Sequence, residues 1–109
     1  MLTSSPAQRL RQLMLYIIRQ HQLRHEHPLT IHHMLLLVAT ADFSAYRQLG
    51  ASISHATYRR QPEGRVPDGF YRILARLLKH RVIRINIPWH RTNHAVRQLT
   101  AHLTLTRSI

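Results

Sequence analysis

The sequence predicts a mainly α-helical domain with one small β-hairpin, and three observations predict it. Apolar residues recur at helical spacing through much of the chain, most regularly over 5–24 and 67–80. A β-branched run, Val82, Ile83, Ile85 and Ile87, follows the last helical stretch. Only 3 Gly and 5 Pro punctuate the 109 residues, which hold no internal repeat, so 1–109 reads as a single domain. At 44% hydrophobic, the chain has the apolar content to build a core, which disordered basic tails lack.

Ser4 and Ser5 precede Pro6, a favoured first-turn residue, and Leu10, Leu13, Met14, Ile17 and Ile18 then mark a first helix over 5–24. Leu15 and Tyr16 widen its apolar stripe beyond one packing face. This helix either lies across its own domain or also pairs with a second copy, which would make a homodimer. His25 to Pro28 breaks the pattern, Thr30 is placed to cap the next helix, and Ile31 to Ala41 is apolar nearly all round, as a central core helix should be. Asp42-Phe43-Ser44 reads as a short connection, with Ser44 capping a further helix whose apolar positions are Tyr46, Leu49 and Ile53. Ala51 to Tyr58 either continues that helix or starts a turn, and Gln61-Pro62-Glu63-Gly64 closes the segment.

Pro67-Asp68 opens a helix over 67–80 in which Phe70, Ile73, Leu74, Leu77 and Leu78 form one buried face. At 100° per residue, Arg72, Arg76 and Lys79 fall within about 60° of one another on the opposite side. Three cations therefore project together into solvent. Tyr71 adds a stacking ring, and Ala75 is small enough to let the helix approach base edges. Arg81 to Pro88 predicts a strand, Trp89 to His94 a basic tip, and Ala95 to Leu99 the returning strand. Helix, helix, basic helix and then a basic hairpin is the order of a winged helix-turn-helix domain, with helix 67–80 in the major groove and wing 82–99 on the backbone or in the minor groove.

Charge points the same way. Sixteen Lys and Arg stand against four Asp and Glu, a formal +12, and a surface so unbalanced repels itself unless a polyanion is near. Only Lys79 is lysine; the rest are arginines, whose planar fork pairs with phosphate and with guanine edges. Four carboxylates leave little for general acid–base pairs, and no Gly-rich phosphate cradle or nucleophile elbow occurs, so the chain is not expected to be an enzyme. His21 and His25, and again His90 and His94, lie four apart, but without a thiol or a companion carboxylate they read as solvated groups, and neither a metal nor another cofactor is expected. The longest mainly apolar run, Met34 to Ala41, is far short of the roughly 20 residues that span a bilayer. Together with the lack of cysteine, that predicts a soluble protein of a reducing compartment, cytoplasmic and nucleoid-associated, with no membrane partner.

Leu29-Thr30-Ile31 leading into Leu35-Leu36-Leu37, then Tyr71 through Ile83, then Val96-Arg97-Gln98-Leu99-Thr100, resembles the pattern of MarR-type winged-helix transcriptional regulators over residues 29–100. The usual glycine before the first wing strand is Arg81 here, and the stretch from Gly50 to Val66 is longer than the family's turn between two helices. That length leaves Ser52 to Arg60 as an alternative reading or phosphate-contacting segment. The resemblance implies a sequence-specific regulator of transcription bound to double-stranded DNA. Arg72, Arg76 and Lys79, with Tyr71, would then reach base edges, while Arg47, Arg59, Arg60, His90, Arg91 and Arg97 would neutralise phosphates. The alternative is a small basic phage or mobile-element protein acting in replication or by binding protein or RNA.

Overall fold

The structure, a computed structural model, describes residues 5–24, 29–86 and 102–106. Its elements are α1 (Pro6–Arg24), β1 (Leu29–Thr30), α2 (Ile31–Leu49), β2 (Tyr58–Gln61), β3 (Gly64–Pro67), α3 (Phe70–Lys79), β4 (Ile83–Asn86) and β5 (His102–Leu105). Three helices thus accompany a three-stranded antiparallel sheet of order β1-β5-β4 and a separate β2-β3 hairpin, giving a small α+β domain.

α1 begins with a reciprocal capping box. The Ser5 hydroxyl accepts from the Gln8 backbone N–H at 3.2 Å, and the Ser5 N–H donates back to the Gln8 side chain at 2.9 Å. Pro6 takes the first helical position, where its missing N–H leaves no helical bond unmade. Leu10, Met14 and Ile18 of α1 are fully buried, meeting Met34 and Val38 of α2, Phe70 and Leu77 of α3, and Leu29, Ile83 and Leu103 of the sheet in one core. Thr30 caps α2 as its position predicted, its hydroxyl accepting from the His33 N–H at 3.0 Å.

Two sequence expectations fail here. First, α2 does not stop at Asp42; it runs unbroken to Leu49, so no helix starts at Ser44. Asp42 and Ser44 are cap-forming residues by propensity, but their side chains are engaged elsewhere: Asp42 is fully buried and bonded to Ser54 and Tyr58, and the Ser44 hydroxyl accepts from the Gln48 side chain. Tertiary contacts override the local preference. Tyr46 and Leu49, expected as a buried face, are 62% and 80% exposed. The true stop is Gly50, whose φ of 80° is the left-handed C-cap geometry and whose N–H bonds the Tyr46 carbonyl at 2.8 Å.

Second, the strand that pairs with β4 is β5, with Ile83 opposite Leu105 and Asn86 opposite His102. The described part of the return strand is His102–Leu105; the expected Ala95 to Leu99 lies outside the described residues. β5 sits centrally because Leu103 also faces Leu29 of β1, and both are buried. The segment left open between helix and turn, 51–57, is loop, and 58–67 is hairpin, so Ser52 to Arg60 does not form a helix.

Candidate nucleic-acid interface

α3 is the most strongly two-sided element. Phe70, Ile73, Leu74 and Leu77 are buried and Leu78 half-buried, while Arg72, Arg76 and Lys79 are exposed, as the spacing predicted. None of these three cations has a hydrogen-bond or ion-pair partner among the described residues. The helix ends in a Schellman motif: the Val82 N–H bonds the Leu77 carbonyl at 2.9 Å and the Arg81 N–H bonds the Leu78 carbonyl at 3.1 Å. Arg81 holds the left-handed position of that motif, φ 57°, where glycine is normally favoured. The tight stop turns the chain directly into β4, where Arg84 is exposed.

Arg76 also borders a groove of about 320 Å³ between the start of α1 and the end of α3, whose other walls include Arg11, Ile73 and His80. Arg11 thus joins the cationic side from a different helix, a placement sequence spacing within one element does not reveal. Arg47, in the last turn of α2, is exposed, as are Arg59 and Arg60 on β2. Arg59 does not stand alone: its Nε donates to Asp68 at 2.7 Å, with both side chains largely open to water. His90, Arg91 and Arg97 lie outside the described residues.

The unanticipated feature is the β2-β3 hairpin, which packs on α2. Pro62 at the second position and Gly64 at the fourth are the residues a tight type I turn favours, and Gly64 has φ 120°. That turn, flanked by Tyr58-Arg59-Arg60 and Arg65-Val66, was the signal available in the sequence. Each described carboxylate holds this segment. Asp42 accepts from the Ser54 N–H at 2.9 Å and from the Ser54 and Tyr58 hydroxyls, both at 2.5 Å. Asp68 holds Arg59, and Glu63 accepts from the Tyr71 hydroxyl at 2.6 Å. Burial, reinforced by the Asp42 carboxylate, pushes the Tyr58 phenol well above its ordinary range. Burial and Glu63 together raise Tyr71, and the Tyr71 hydrogen bond in turn lowers Glu63 below the usual carboxylate value. Tyr71, proposed from sequence as a stacking ring, therefore has its hydroxyl committed to the hairpin.

His21 is buried and meets His33 edge-to-face across α1 and α2, with ring centroids 5.3 Å apart. His21 is one of the histidines singled out in the sequence, and the fold, not helical spacing, brings it to His33. Among the described residues, no helix is long and apolar enough to cross a membrane. No protein-family model, curated protein or solved structure matches the chain.

Proposed function

We propose that this chain is a sequence-specific double-stranded DNA-binding regulator of winged-helix type, with α3 as the helix that enters the major groove. The observation that carries the proposal is the outer side of α3: three long cations held together on a rigid helix whose opposite side is sealed into the core, with no internal partner among the described residues. Arginine there can pair bidentately with guanine, and the formal +12 supplies the sequence-independent attraction to phosphate. The order of elements supports the winged-helix assignment and, with it, the MarR-like pattern: α3 is followed by antiparallel β4 and β5, and β1 completes their sheet. β2-β3 is then an insertion between the second and third helices.

A second copy is proposed to pair through α1, where Tyr16 and Leu23 are 61% and 62% exposed beside half-buried Ile17. Such a dimer would match a site of two half-sites about one helical turn apart on nucleoid DNA. Binding, not catalysis, is the proposed activity. Selection of duplexes from a random pool tests the proposal: a recovered motif bound at least about tenfold better than random duplex at physiological salt supports it. A flat pool would instead favour architectural or RNA binding.

A further inference from the structure

Antiparallel register sets Arg60 of β2 directly opposite Arg65 of β3. Residues so placed have Cβ atoms about 5 Å apart, and like charges there repel. Both side chains are exposed, and neither has a hydrogen-bond or ion-pair partner among the described residues. Arg65 is nevertheless seated, its guanidinium 5.3 Å from the centre of the Phe43 ring, which itself rests on Tyr58.

The hairpin that carries this pair is fixed at three points by Asp42, Asp68 and Glu63. A chain with four Asp and Glu in all thus uses three of them to anchor one short segment. Through the Glu63 to Tyr71 bond, its turn sits against the residue next to Arg72, on the flank of the cationic side of α3. Two repelling cations held on a rigid hairpin beside α3 are a site for a shared anion, which relieves the repulsion.

We infer that the β2-β3 hairpin is a second DNA-contacting element, in which Arg60 and Arg65 together hold a backbone phosphate and so fix how α3 sits in the groove. The inference rests on the DNA-binding proposal above. It removes Arg59 from the phosphate contacts, because that side chain holds Asp68, and adds Arg65. These contacts carry position, not sequence.

The test is affinity against salt concentration, on a selected duplex and on a random one, for the wild type and for R60Q/R65Q, R60K/R65K and R72Q/R76Q. Losing the one phosphate the pair shares should flatten the slope of log K against log salt by about 0.9, which amounts to about 8-fold weaker binding at 0.1 M salt and almost no change at 1 M. R60Q/R65Q should lose equally on both duplexes, fold with an unchanged or higher melting temperature, and be rescued by R60K/R65K. R72Q/R76Q should lose preference for the selected duplex. A wild-type slope retained by R60Q/R65Q, while R72Q/R76Q loses preference, overturns the hairpin inference alone. Absence of any salt-dependent duplex binding by the wild type overturns both it and the proposed function.

Discussion

Replacing Asp42 with alanine should come close to unfolding the domain. The carboxylate is fully buried and accepts three hydrogen bonds, from the Ser54 N–H, the Ser54 hydroxyl and the Tyr58 hydroxyl. Bonds to a charged group contribute about 1.5–3 kcal/mol each, but their sum overstates the loss because part of it offsets the cost of burying the charge. One donor has some fallback, since the Tyr58 hydroxyl lies 3.4 Å from the Val38 carbonyl, whereas the bond that Ser54 Oγ accepts from the Ala56 N–H satisfies no donor of the Asp42 carboxylate. The Ser54 N–H has none shown, and the net loss should be about 3–5 kcal/mol, the range for breaking a buried charged network. Against a total of about 5–15 kcal/mol, that removes a large share of stability. Asp42→Asn keeps one acceptor oxygen and the volume, so it should lose about half as much. Urea unfolding followed by circular dichroism reads both variants, and a double-mutant cycle with Tyr58→Phe should show strong coupling. A loss below about 1 kcal/mol for Asp42→Ala would refute the claim that this carboxylate clamps the hairpin to α2.

Other outcomes follow from the same contacts. Because folding raises the Tyr58 phenol, the unfolded chain releases that proton first as pH rises past about 10, so stability should decline above that pH and Tyr58→Phe should blunt the decline; a urea series in alkaline buffers reads it. Glu63 is shifted the other way, so its contribution is present above its ordinary value and is lost as pH falls through the lowered one. Tyr71→Phe should return the Glu63 carboxyl toward its ordinary titration, followed by carboxyl-carbon NMR. Arg81→Gly should raise stability by about 0.5–1 kcal/mol, since glycine adopts the left-handed position of the α3 stop without strain, partly offset by its greater freedom when unfolded.

The helices were legible where one face alone decides the outcome. α1 and α3 each bury one stripe, so spacing located Leu10, Met14 and Ile18, and Phe70, Ile73 and Leu77, as core residues, and left Arg72, Arg76 and Lys79 outside. Thr30 was legible as a cap because capping is local chemistry. Asp42 was misread because its partners, Ser54 and Tyr58, are 12 and 16 residues away, and cap propensity says nothing about such contacts. The hairpin was missed because Arg59 and Arg60 interrupt the apolar alternation that marks a strand, leaving the Pro62 to Gly64 turn as its only strong sign. The pairing of β4 with β5 depends on Leu103 filling a place between Leu29 and Ile85, a long-range fit that alternation cannot locate.

The claim that the outer side of α3 reads base sequence is tested most directly by one ratio, the affinity for a selected duplex over that for random duplex, measured for the wild type and for R72A/R76A in the same salt. Each good arginine–guanine pair discriminates by about 1–3 kcal/mol, so the double variant should lose about 30-fold or more of that ratio while still binding random duplex. An unchanged ratio in a folded R72A/R76A protein would contradict the account and move sequence reading away from α3.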